Sequence, residues 1–100
     1  MRTKVQGVVE TSDGVRLVAE GVFFGTRVRV VTAYDGTYDA FPFHVYVQAG
    51  HSMDSLTPKP TTLRQATKRD AIEQGLLMAE QYLSSDPHFQ RSLQTDPWRA

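Results

Sequence analysis

Histidine, carboxylate and hydroxyl side chains lie close together in the middle of the chain, between residues 44 and 55. His44, His51 and Asp54 are residue types that bind zinc or another divalent ion. Their spacing matches no standard metal site, and the alternative is one histidine on a strand and another in a loop. We therefore predict no metal ion and no other cofactor.

Two serines in the same segment raise the question of nucleophilic catalysis. Ser52 and Ser55, with His51 and Asp54, supply the residue types of a hydrolase triad. Triads are defined by geometry, however, and neighbours in one loop rarely adopt it. The chain also lacks the glycine pattern that surrounds a nucleophilic serine in a strand-to-helix elbow. A solvated loop is the better interpretation, so a small hydrolase or metal-dependent enzyme is the weakest functional hypothesis and we predict no enzyme.

A third group combines positive charge with aromatic rings on two neighbouring strands. Its members are Arg27, Arg29, His44 and Tyr46. An open sheet of this kind binds single-stranded nucleic acid through phosphate contacts and base stacking. The alternative is a surface cation–aromatic pair with Glu20 close to Arg29, and no RNA-recognition sequence is present.

Composition excludes several classes of protein. The chain has 100 residues, 40% hydrophobic and 22% charged, which suits one globular domain. Eleven basic and eleven acidic residues cancel, which weakens the case for non-specific binding to nucleic acid or to a membrane surface. The absence of cysteine excludes disulfides and thiolate zinc sites, and no apolar segment approaches the roughly 20 residues of a membrane span. We expect a cytoplasmic protein.

Strand periodicity organises the region from residue 15 to residue 48. Val28, Val30 and Thr32 point to one side of a strand, and the phenylalanines and valines of 41–47 do the same on the next. A loop at Asp35-Gly36 joins these strands, and pairing Val30 with Val45 places all large apolar side chains on one face. A turn at Gly25-Thr26 or a bulge within one longer strand connects them to the strand before. Residues 4–11 form a further strand of ambiguous faces.

One helix is predicted after the strands. Thr67 and Asp70 have the spacing of a capping box, and apolar residues then recur at three- and four-residue steps to Leu83. Gly75 marks a close approach to the sheet. Because of Pro58 and Pro60, residues 49–62 are expected to form an extended loop, with a short edge strand near 61–64 as the alternative.

The predicted fold class is α+β: an antiparallel meander of three or four strands with one main C-terminal helix on one face. We expect one domain over residues 1–86 and a tail over 87–100 that forms a short helix or none. The strings FFG-x-R-V-R-V, Asp35-Gly36, FPFHVYV and T-x-x-DAIEQGLLMAEQYL resemble a group of small uncharacterised bacterial proteins over roughly residues 22–84. These combine a β-meander with a C-terminal helix carrying T-x-x-(D/E)-A-x-x-x-G. The resemblance implies a fold and no chemistry.

The face away from the helix carries more apolar side chains than a sheet surface left to water. The C-terminal segment with Phe89, Leu93 and Trp98, or a second subunit, would cover it. If the tail is mobile, a protein partner would bind there, with Phe24, Tyr46 and Trp98 as anchors. The leading hypothesis is a non-enzymatic protein-interaction module, including a homodimer. The candidate interaction face comprises Phe24, Arg27, Arg29, His44, Tyr46 and Trp98. Nucleic-acid binding is the alternative.

Overall fold

A computed structural model describes residues 3–58 and 61–85 of the chain. Six strands precede one helix in chain order. Their bounds are β1 Gln6–Asp13, β2 Arg16–Phe23, β3 Thr26–Ala33, β4 Phe41–Ala49, β5 Ser52–Ser55, β6 Arg64–Gln65 and α1 Lys68–Ser85. The sheet is antiparallel with the order β1-β2-β3-β4-β5, and β6 also pairs with β4. The fold is therefore α+β, as predicted.

The number of strands differs from the prediction, because residues 49–62 are not a loop throughout. A two-residue turn at Gly50-His51 folds β5 back along the C-terminal half of β4, so that Ala49 pairs with Ser52. Arg64 of β6 pairs with Pro42 in the N-terminal half of the same strand. These strands carry no apolar alternation, and their backbone pairing with β4 is what defines them.

The predicted pairing of β3 with β4 is confirmed, with Val28 opposite Val47, Val30 opposite Val45 and Thr32 opposite Phe43. The four valines of these pairs and Phe43 are at most 4% exposed. We call this side of the sheet, on which α1 packs, the covered face. The other side, which carries Arg29 and Tyr46, is the open face.

Helix α1 begins as the sequence predicts. Thr67 Oγ1 accepts a hydrogen bond of 3.1 Å from the backbone N–H of Asp70 and so caps the first turn. Its buried residues are Ala71, Ile72, Gly75, Leu76, Ala79 and Leu83. A Cβ at Gly75 would lie 2.5 Å from Val30 Cγ1, which confirms that this glycine permits the closest approach of helix and sheet.

The first described residues attach β1 to the core. Val5 and Val8 pack over Gly21, where an added Cβ would lie 2.6 Å from Val5 Cγ1. Thr3 Oγ1 and the backbone N–H of Lys4 both donate to Glu80 of α1, each at 3.0 Å. The register of β1 and β2 shifts between Gln6 and Val9 because a bulge separates the two parts of β1.

The predicted tail, residues 87–100, lies outside the described residues, and so does Trp98. Within residues 3–58 and 61–85, no helix has an apolar stretch long enough to span a membrane.

Candidate functional site

Four of the six predicted interface residues lie on the open face. Arg27 and Arg29 alternate with the buried valines of β3, and His44 and Tyr46 alternate with those of β4. Arg29 is directly opposite Tyr46, as predicted. Arg27 is exposed, while Arg29, His44 and Tyr46 are half-buried. The sheet therefore brings these four side chains onto one surface.

Glu20 of β2 neutralises much of the positive charge on this surface. Its two carboxylate oxygens bind Arg27 Nη2 at 3.0 Å and Arg29 Nε at 3.3 Å. The hydrogen bond from Arg27 is the main reason that the pKa of Glu20 lies below its usual value, and Arg29 adds to the effect. Two guanidinium groups that share one carboxylate leave a net charge of +1, which gives little support to phosphate binding.

His44 and Tyr46 are held by neighbouring groups. Their rings are 6.4 Å apart between centroids and tilted by 32°. His44 Nδ1 lies 3.2 Å from the hydroxyl of Thr57, a residue that is only 6% exposed. The open face is therefore an ordered polar and aromatic surface along β4.

The metal hypothesis placed His44, His51 and Asp54 together, and the sheet separates them. Asp54 is opposite Val47 and so belongs to the covered side of the edge strand, whereas His44 is on the open face. His51 occupies the turn before β5. In the part of the chain that the structure describes, no three His, Cys, Asp or Glu residues form a group that could hold a metal ion.

The two serines of the triad hypothesis donate to backbone carbonyls. Ser52 Oγ donates to the carbonyl of Ala49 at 3.1 Å, and Ser55 Oγ donates to that of Thr57 at 2.8 Å. These contacts stabilise the ends of the β4–β5 hairpin. They orient neither hydroxyl toward a histidine base.

Phe24 lies in the two-residue turn between β2 and β3. Phe23 pairs with Thr26, so the turn residues are Phe24 and Gly25, and the predicted turn at Gly25-Thr26 is wrong by one residue. The predicted register of β2 consequently shifts by two, and Gly21 pairs with Val28 instead of Val30. A shift of two leaves every side chain on its predicted face.

The backbone of this turn is unusual for a phenylalanine. Phe24 has a φ of 47° and Gly25 one of 81°, so both central residues are left-handed, as in a type I′ turn. Glycine and asparagine adopt this conformation readily, and bulky residues rarely do. The Phe24 ring is nevertheless 66% exposed, with an edge contact to the Phe23 ring at 4.9 Å.

Further apolar side chains surround this turn. We define the Phe24 end as Val9, Val22 and Phe24, which are 64%, 41% and 66% exposed. Phe24 and Val22 form one wall of a concave surface that encloses a volume of about 510 Å3, and residues 3–6 form the other wall. Val22 and Val9 border a second concavity of about 360 Å3. The sequence did not indicate Val9, because the bulge in β1 interrupts the alternation from which the face of its side chain could be predicted.

Taken together, the fold and the surface define a small α+β domain with one covered and one open sheet face. Comparison of the chain with protein-family models, with curated proteins and with solved structures finds no match in any of the three. The resemblance to small bacterial proteins therefore stays a prediction.

Proposed function

We propose that this chain is a non-enzymatic, self-associating module that contacts a second copy of itself through the Phe24 end. The observation that carries the proposal is the backbone of Phe24. A positive φ costs a bulky residue about 1 kcal/mol or more, and asparagine would relieve that cost. The ring contacts Phe23 at its edge but stays two-thirds exposed, so the single chain recovers little of this energy.

The shape of the same region supports a second copy as the partner. A two-fold interface requires one surface to be complementary to itself. Here the projecting Phe24 ring lies beside the concave surface between Val22 and residues 3–6. Two copies related by a two-fold axis would each place Phe24 into the other's concavity, burying Val22 as well.

Charge on the open face supports a protein contact over a nucleic-acid contact. Glu20 already binds both Arg27 and Arg29, so phosphate groups would have to compete with it. Arginine and tyrosine are enriched at the centres of protein interfaces, and Arg29 opposite Tyr46 extends the contact area from the Phe24 end. A cytoplasmic, bacterial setting for this module remains a prediction from the sequence.

Sedimentation equilibrium over a range of protein concentrations tests the proposal. We expect the wild type to convert from monomer to dimer, and Phe24→Asn to weaken that association by about tenfold or more, as for a central aromatic contact. Val15→Asn is the matched control, because Val15 is an 84% exposed turn residue at the opposite end of the strands. It should dimerise like the wild type.

Two results would overturn the proposal. One is a wild type that stays monomeric up to millimolar concentration, and the other is equal association by Phe24→Asn and Val15→Asn. A salt-sensitive gel shift of an oligonucleotide, lost in Arg29→Gln, would instead favour nucleic-acid binding on the open face.

A further inference from the structure

A cavity of about 500 Å3 lies at the end of the sheet opposite the Phe24 end. Its floor is the open face at the end of β3 and the start of β4, including Val31, Ala33 and Pro42. Its rim is formed by Tyr38 of the β3–β4 loop and by Arg64 of β6. This volume lies within the range of roughly 300–1,000 Å3 found for small-molecule sites.

The rim is ordered by specific contacts. The Arg64 guanidinium carbon lies 3.7 Å from the centre of the Tyr38 ring. The loop that carries Tyr38 is closed by a 2.6 Å hydrogen bond from the Tyr34 hydroxyl to Asp39 Oδ1. Asp35 Oδ1 also accepts from the backbone N–H of Thr37 at 2.9 Å. The cavity is therefore largely preformed, which reduces the entropy lost on binding.

Arg64 retains its capacity to bind an anion. Stacking on Tyr38 uses the flat face of the guanidinium group and leaves its N–H donors free in the plane. Among the described residues, no carboxylate oxygen lies within 4.0 Å of its nitrogens. This differs from Arg27 and Arg29, whose charges Glu20 already compensates.

We propose that this cavity binds a small organic monocarboxylate with a flat or apolar body, held by Arg64. A planar guanidinium group pairs with a carboxylate through two parallel hydrogen bonds. Arg16 is already paired with Asp13 at 3.6 Å, so among the described lining residues Arg64 is the arginine without a carboxylate within 4.0 Å, and one carboxylate neutralises its charge. A phosphate dianion would exceed that charge and face the Asp35 carboxylate. Val31, Ala33 and Pro42 would contact the apolar body.

The inference does not depend on self-association, because Arg64, Tyr38 and Ala33 lie at the end of the strands opposite the Phe24 end, although Tyr46 borders both the cavity and the proposed contact area. An NMR titration of backbone amides with benzoate tests it, with benzyl alcohol as the neutral analogue and phenyl phosphate as the dianion. We expect saturable shifts at Ala33, Tyr38 and Arg64 with benzoate, and weaker effects with the other two. The same result is expected in the Phe24→Asn background.

Two variants separate the charge from the shape of the cavity. Arg64→Gln should weaken benzoate binding by about tenfold or more, as expected when a charge-assisted hydrogen bond is lost. Ala33→Leu should weaken binding by occupying part of the apolar floor of the cavity while Arg64 stays in place. Arg27→Gln, at the other end of the same face, is the control and should bind like the wild type.

Several outcomes would contradict the assignment. They are the absence of saturable shifts with benzoate, equal affinity for benzyl alcohol, tighter binding of phenyl phosphate, or unchanged affinity in Arg64→Gln. Because Ala33→Leu leaves the Arg64–Tyr38 contact intact, it tests the site even if Arg64→Gln fails to fold.

Discussion

The two faces of the sheet differ although they belong to the same strands. On the covered face, Val28, Val30 and Val45 are fully buried beneath α1. Burial of these apolar side chains supplies most of the free energy that stabilises the fold. On the open face, the intervening residues are half-buried or exposed and form ion pairs such as Glu20 with Arg27. One face therefore maintains the structure, while the other is available for contacts with other molecules.

The largest effect should come from adjacent valines that point to opposite faces. Val30→Ala removes two methyl groups from a fully buried position that packs on Gly75. It should lower the free energy of unfolding by about 2–3 kcal/mol. Val31→Ala, one residue later on the open face, should cost less than about 1 kcal/mol because Val31 is only half-buried. Urea denaturation measures both. Equal losses would contradict the division into two faces.

A smaller loss is expected at the point where helix and sheet meet most closely. Gly75→Ala places a Cβ 2.5 and 2.8 Å from the two γ-carbons of Val30, and rotation of this β-branched side chain cannot clear both. Overpacking costs up to about 3 kcal/mol and outweighs the gain of roughly 1 kcal/mol in helix propensity, so a net destabilisation of up to about 2 kcal/mol is expected.

A double-mutant cycle identifies the cause of that loss. In the Val30→Ala background both γ-carbons are gone and only the Cβ, at 3.2 Å, stays close, so Gly75→Ala should become neutral or slightly stabilising through its helix propensity. Gln74→Ala, an exposed helix position next to Gly75, is the control and should change stability little in either background. An undiminished loss from Gly75→Ala in the double variant would show that Val30 is not the obstacle.

The smallest effect is expected from the ion pairs of the open face. The pKa of Glu20 is lower in the folded protein than its usual value of 4.5, chiefly because Arg27 donates to it. A lowered folded pKa gives stability that is present above the unfolded pKa and is lost as the pH falls through the folded pKa.

The wild type should therefore exceed Glu20→Gln in unfolding free energy at pH 7, by under about 1 kcal/mol because the carboxylate is over one-third exposed. The difference should shrink as the pH falls below 4.5 and disappear once the pH lies below the folded pKa of Glu20. Glu10→Gln, at an exposed position of β1, controls for the general loss of a carboxylate. A difference between wild type and Glu20→Gln that persisted at low pH would exclude the ion pairs as its source.

Much of the fold could be predicted from residue patterns, and the exceptions have physical causes. Alternation assigned Val28, Val30, Val45 and Val47 to one face, and Thr67 located the start of α1, because both signals are local. The turn at Phe24 was misplaced because glycine is favoured at the first turn position, and a two-residue shift preserves every face. Strand β5 was missed because it pairs through its backbone without apolar alternation.

The candidate surface was predictable only in part. Arg27, Arg29, His44 and Tyr46 share a face because strand parity requires it. The proximity of Glu20 to Arg29 also followed from strand order, whereas the pairing of Glu20 with Arg27 was not predicted. The contact of Arg64 with Tyr38 joins residues 26 positions apart, one in the two-residue strand β6 and one in the β3–β4 loop, and no local pattern indicates it. The strain at Phe24 likewise depends on a φ angle that only the folded turn defines.

The most direct test of self-association through Phe24 is the dependence of the thermal unfolding midpoint on protein concentration. Dimerisation of the folded state raises that midpoint as concentration increases. The wild-type midpoint should therefore rise with concentration. That of Phe24→Asn should begin to rise only at concentrations about tenfold or more higher and, at the lowest concentration, should exceed the wild-type value because the turn is relaxed. A wild-type midpoint independent of concentration, or a Phe24→Asn midpoint below it when both are dilute, would contradict the account.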